Sequence, residues 1–252
     1  MNTKTTIIAF LLVSSFLGTA QSNKQYAKAK VTYGITLHLE RNNEVYKIYE
    51  KYFPGLAARS ETTASEIDFS LILNDSISFF YLEKKLYSDN RAVSSALTHS
   101  GFHGRIKQQP NDFVTEELQE DFGKFLVSRL YQDWVLHEDS KMIGDYLCFK
   151  ATTFYTIMSP AGKVFKHDFT AWYAPQLPHK FGPSGYGNLP GLIIELQGKD
   201  FTLGVSKITF YEDALKSKEN EMPQLKNKRL ITEEEFEKLA AEDEKRWRDK
   251  RD

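Results

Sequence analysis

Among 252 residues there is a single cysteine, Cys148. No intramolecular disulfide can form. A lone thiol reads first as a small apolar residue on the inner face of a strand. A metal ligand and an intermolecular disulfide are the alternatives. Net charge is also missing: 33 basic residues face 34 acidic ones, for a formal charge of −1. Without a basic field there is nothing to hold nucleic acid. Beyond the N-terminal segment no apolar run is long enough to cross a bilayer core of about 30 Å. The strong catalytic signatures are absent too. There is no Gly-x-Ser-x-Gly elbow, no His-Glu-x-x-His, no Cys-x-x-Cys and no phosphate loop ending in Gly-Lys-Ser/Thr. No βαβ alternation and no solenoid period is visible, which argues against a doubly wound nucleotide fold or a repeat array. Carboxylates are numerous, but spacing nominates no acid/base pair. No cofactor is implied and no metal site is assigned.

What is present points to a β-rich globular chain. It carries 18 Phe, 13 Tyr and 3 Trp, residues that fit a pleated surface. A hydrophobic content of 41% against 27% charged suits a folded domain. Residues 1–20 read as a cleavable export signal. Lys4 is the charged start, Ile7 to Leu17 the apolar stretch, and Gly18-Thr19-Ala20 supplies small residues before Gln21. No cysteine follows, so a lipoprotein anchor is not expected. The expected mature protein is soluble and periplasmic.

Alternation of apolar and polar residues predicts a first strand over Ala29 to Leu39. Val45, Ile48, Tyr49 and Tyr52 give a helical period, stopped by Pro54-Gly55. Ala57 to Ile67 is ambiguous, with a short helix as one reading. Phe69 to Tyr81 reads as a hairpin around Asn74-Asp75. Tyr87 to Gly104, rich in small and polar residues, reads as a long mobile loop. Gln109 to Asp112 is a turn. Phe125 to His137 alternates with Leu126, Ser128, Leu130, Trp134 and Leu136 on one side. Leu147 to Ile157 and Lys163 to Ala174 form a hairpin across Ser159 to Gly162. Leu192 to Gln197 and Phe201 to Tyr211 form another. The expected domains are an antiparallel β unit over 21–214 and a polar linker with a charged helix over 215–252. Thr232 and Glu235 form a capping box for that helix.

The densest signal is Gly182-Pro183-Ser184-Gly185-Tyr186-Gly187-Asn188-Leu189-Pro190-Gly191. It runs into a strand rather than opening a helix, so it lacks the helix N-terminus that would hold phosphate. Its plain reading is a tight corner, with Gly182, Pro183, Asn188, Pro190 and Gly191 as structural residues. Trp172, Tyr173, Phe181 and Tyr186 surround it and are the candidate ligand or partner surface. His99 and His103 are four apart, a ligand spacing on a helix, but the intervening Ser100-Gly101-Phe102 argues for a loop.

Lys141 to Ala151, then Ala171-Trp172-Tyr173, then Gly182-Pro183 and Asn188-Leu189-Pro190-Gly191-Leu192-Ile193 resemble the GLPGLI family of exported proteins from Bacteroidetes-type bacteria. Asn188 replaces the first Gly of the name motif, and Asn tolerates left-handed backbone angles. The resemblance spans about residues 30 to 211 and implies no assigned activity. It implies an envelope setting near outer-membrane TonB-dependent transporters. The layout is also similar to periplasmic lipoprotein-localisation carriers (LolA/LolB-like), which are curved antiparallel half-barrels over an apolar cavity. The expected fold is therefore mainly β, a curved antiparallel sheet or half-barrel with a few helices. The expected function is non-enzymatic binding, of a small apolar or peptide ligand or of a transporter. The alternative is a metal-handling protein or enzyme whose His/Cys/carboxylate site forms only in the fold.

Overall fold

The computed structural model describes residues 28–42, 44–119, 123–158, 164–211 and 229–249. The export signal, the Ser159 to Gly162 turn and most of the 215–232 linker lie outside them.

Strand β1 (Lys28–Leu37) buries Ala29, Val31, Tyr33, Ile35 and Leu37, the alternate residues that the period-2 pattern selects. Helices α1 (Glu44–Tyr52) and α2 (Leu56–Ala64) follow, separated by Gly55 at φ 71°. Strands β2 (Asp68–Asn74) and β3 (Ser78–Leu82) pair across a turn in which Asn74 Oδ1 accepts from Ser76 and Ile77 N–H. Next come α3 (Asn90–His99), β4 (Ile106–Gln108), β5 (Asp112–Gln119) and β6 (Gly123–Leu130). Then follow β7 (Val135–Ile143), β8 (Tyr146–Met158), β9 (Val164–Ala174), β10 (Leu192–Gln197) and β11 (Phe201–Tyr211). The chain closes with β12 (Arg229–Thr232) and α4 (Glu233–Asp249).

All twelve strands form one sheet, in the order β12-β6-β5-β4-β3-β2-β1-β11-β10-β9-β8-β7. The ladders are antiparallel except β12 on β6, which is parallel. The fold is mainly β, and the sheet does not close into a barrel. Its curl follows from connectivity. Strands β6 and β7 stand ten places apart, about 48 Å in a flat sheet. Yet only residues 131–134 join them, a link that reaches no more than about 18 Å. The two ends must therefore face each other. Thr153 Oγ1 on β8 anchors the end of that link beside β7 by donating to the carbonyl of Asp133 at 2.7 Å.

Two expectations need correction. Tyr87 to Gly104 is not a long loop, because α3 occupies its middle. Asp89 caps it by accepting from Ala92 N–H at 2.9 Å, and Ala92, Val93 and Ala96 bury one face. Its end is a Schellman motif: Gly101, at φ 67°, donates to Thr98 and Phe102 donates to Leu97. Phe125 to His137 is likewise not one strand. Chain residues 131–134 break it, and Phe125 and Val127 are the buried phase instead of Leu126, Ser128 and Leu130. The reason is tertiary. Phe125 and Val127 pack against Ile231, Phe236 and Leu239 of the C-terminal segment, in a small core separate from the main one.

The main core fills the inside of the curl. Helices α2 and α3 contribute Ala57, Ala64, Val93 and Ala96 to the same cluster as Val31, Phe69, Ile193 and Leu196. Tyr33 is buried at its centre and donates its hydroxyl to the Ile193 carbonyl at 2.6 Å. Burial holds that phenol's pKa well above its usual range.

Candidate functional site

The Gly/Pro loop is more than a corner. Phe181 and Gly187 bridge each other, so residues 180–188 form a short tongue, and Asn188 N–H closes it on the Lys180 carbonyl at 2.7 Å. The tip, a single 3-10 turn over Pro183–Gly185, crosses the inside of the curl to reach β4 and β5. Gln108 Nε2 on β4 donates to the Tyr186 carbonyl at 2.9 Å, and Trp134 Nε1 donates to the Gly187 carbonyl at 2.8 Å. Tyr186 rests on Phe169 of β9, with ring centroids 4.7 Å apart. The tongue thus braces β9 and β10 against the opposite wall. Its backbone is held where most residues avoid going. Ser184, Gly185 and Asn188 have φ of 53°, 82° and 62°. A Cβ on Gly191 would lie 2.3 Å from the Ala174 carbonyl oxygen, so the chain passes too close for any side chain.

Beside the tip lies a half-open cleft of about 560 Å³. Its walls come from the end of α3, from β5, β6, β8 and β9, from the β10–β11 turn and from α4. One side is aromatic. Tyr155 stacks on His167 and Phe169 at 5.1 and 5.9 Å, and Phe169 continues the row to Tyr186 and Phe201. The other side is polar and centred on Arg129, whose guanidinium donates to Glu117 and Glu233 at 3.1 Å each and to Thr115 Oγ1. Glu117 is buried, so this cation is what keeps its charge compensated. Arg129 also ties α4 to the sheet through Glu233.

The titrations around the cleft follow from burial. Tyr186 and Tyr155 are raised, chiefly by desolvation, so both stay neutral hydroxyl donors. His99 is lowered from its usual 6.5 by desolvation, against the opposing pull of Asp200 and Glu61. Ser184 Oγ is buried with no hydrogen-bond partner among the described residues.

The residues singled out from sequence are divided by the structure. Tyr186 lines the cleft. Phe181 is buried in the main core at the base of the tongue, and Tyr173 is buried on β9 beside Phe149. Trp172 is half-buried on the other face of β9, with the Lys141 ammonium 4.3 Å from its ring centroid. Gly182, Pro183 and Gly191 are buried in the tongue, while Asn188 and Pro190 are exposed on it. His99 and His103 both border the cleft, His99 at the end of α3 and His103 beyond the Schellman turn. Among the described residues no group of three or more His, Cys, Asp or Glu could hold a metal. Cys148 is fully buried outside the cleft, and desolvation pushes its thiol up to about 11. Sequence reasoning missed Tyr155, Phe169, Arg129 and Glu117. The Tyr155–His167–Phe169 row was visible only as alternation on two strands whose pairing was predicted. Nothing local marks Arg129.

A family model described as a protein of unknown function (Porph_ging) matches residues 161–195, which include all of β9 and the whole tongue. No curated protein matches the chain. Two crystal forms of PNGF-II are similar in structure. One has 13% identity and a TM-score of 0.46, over 82% of this chain and 31% of that one. The other has 12% identity and a TM-score of 0.48, over 84% and 33%. The chain thus spans about a third of the length of these solved structures. No described helix is long and apolar enough to cross a membrane.

Proposed function

We propose that this is an exported, non-enzymatic binding or accessory protein of the bacterial envelope, serving outer-membrane transport. It holds a small ligand in the cleft beside the Gly/Pro tongue. One observation carries the reading: a 560 Å³ cleft with an aromatic row on one wall and convergent polar groups on the other. Ligand sites have this size and this mixture. The brace supports it. A tongue tied by Gln108 and Trp134 keeps the wall in place before a ligand arrives, which lowers the ordering cost of binding. The envelope setting is supported by the export signal and by the family resemblance.

Native mass spectrometry of the full chain, exported and purified from its own cells, tests the reading. A small molecule bound to the wild type and lost from Thr98→Trp is the expected result. Thr98 is an exposed residue on the cleft wall, so an indole there narrows the cleft without replacing a core side chain. Circular dichroism establishes that the variant is folded. A wild type with no bound molecule, or equal occupancy in the folded variant, overturns the reading.

A further inference from the structure

We infer that the cleft selects an amphipathic cation: an apolar body that stacks on aromatic rings and carries an amine or guanidinium group. The inference rests on the binding reading above and adds the chemical class of the ligand.

Charge is the first ground. Four carboxylates border the cleft, those of Glu117, Asp200, Glu233 and Glu237, against two cations, Arg129 and Lys199. Arg129 is already committed to Glu117 and Glu233. Lys199 is exposed on the Gly198 to Asp200 turn, with its head free to stay in water. Asp200 and Glu237 make no ion pair among the described residues. A cation entering the cleft therefore meets two carboxylates, Asp200 and Glu237, that have no ion pair among the described residues, whereas an anion meets the same two and no free buried cation.

The second ground is the aromatic wall. Tyr155, Phe169 and Tyr186 form a row of rings in mutual contact, an apolar surface on which the body of such a ligand packs. Burial holds both phenols neutral, so they add donors without adding charge. The third is the Ser184 hydroxyl. Ser184 borders the cleft at a positive φ, and its hydroxyl is buried with no partner among the described residues. An unmet buried polar group is costly, and a polar atom on a bound ligand relieves it.

The test is an NMR titration of the full chain at low ionic strength with three molecules of one phenyl body: phenethylamine, phenylacetamide and phenylacetate. Phenethylamine should bind up to about tenfold more tightly than the amide, the scale of two partly exposed ion pairs. Phenylacetate should be weakest. The double variant Asp200→Asn with Glu237→Gln should abolish the preference for the amine over the amide, with circular dichroism establishing that it is folded. An amide or acetate that equals the amine overturns the inference, as does a preference that survives in the double variant. If the neutral or anionic molecule binds in the cleft and Thr98→Trp blocks it, the binding reading stands and the cation class falls. If none of the three shifts the cleft resonances, both fall.

Discussion

Replacing Gly185 with alanine should destabilise the protein by about 2–5 kcal/mol. Two separable effects add to that figure. Gly185 has φ 82°, and a side chain in the left-handed region costs about 1–2 kcal/mol. The new Cβ would also stand 2.6 Å from Phe113 Cε2 and 2.8 Å from Cδ2, closer than real contacts come. The ring cannot simply swing away, because it is buried and packs on Tyr131, whose hydroxyl is fixed on the Gln109 carbonyl at 2.7 Å. Forcing it aside adds the overpacking cost of about 1–3 kcal/mol. Gly101 provides the internal control. It has a similar φ of 67°, but a Cβ there meets nothing within 4 Å. Gly101→Ala should therefore show the backbone cost alone. Equilibrium urea unfolding of both variants measures the difference, with unchanged m-values confirming a common transition. If Gly185→Ala loses no more stability than Gly101→Ala, the tongue is not pressed against β5, and the account of it as a brace is wrong.

Three further predictions follow from the same contacts. Arg129→Met leaves the buried Glu117 carboxylate without its cation and should cost about 3–5 kcal/mol in urea unfolding; adding Glu117→Gln should recover most of that, and equal losses would refute the pairing. His99 has a folded pKa below its usual 6.5, so the unfolded chain takes up the proton first. Its contribution is present above that value and is lost as pH falls through the window below it; wild type should thus weaken more than His99→Gln between neutral and mildly acidic pH, and parallel stability curves would contradict this. Cys148, at about 11 and fully buried, should resist thiol reagents at about pH 8, where roughly a thousandth would be thiolate even if exposed, and should react at once in denaturant; rapid labelling of the native protein would show the strand is not packed as described.

Local patterns were legible where a single chemical rule governs. The Thr232–Glu235 capping box appears as read: Glu235 N–H donates to Thr232 Oγ1 at 3.2 Å and Thr232 N–H donates to Glu235 Oε2 at 2.9 Å. Asn188 adopts the left-handed angle its side chain tolerates. The β8–β9 and β10–β11 strands pair antiparallel as read. Helix α3 was missed although its signals were present: an Asp cap, small apolar residues at helical spacing and a Gly stop. Small residues bury little area each, so their period is faint beside the loop-like composition. The phase of β6 could not be read at all, since it depends on a segment about a hundred residues downstream.

Alternation, caps and turns are short-range, and the amino-acid sequence by itself determined the mainly-β class, most strand positions and the strained Gly/Pro segment. Only the tertiary structure decided what that segment does. Four residues joining β6 to β7 force the sheet to curl, and the curl brings β5 opposite β9 with the tongue between them. The cleft exists because of that closure. Tyr155, Arg129, Asp200 and Glu237 share it only after strands far apart in sequence are paired, and pairing is a long-range choice that no local period encodes.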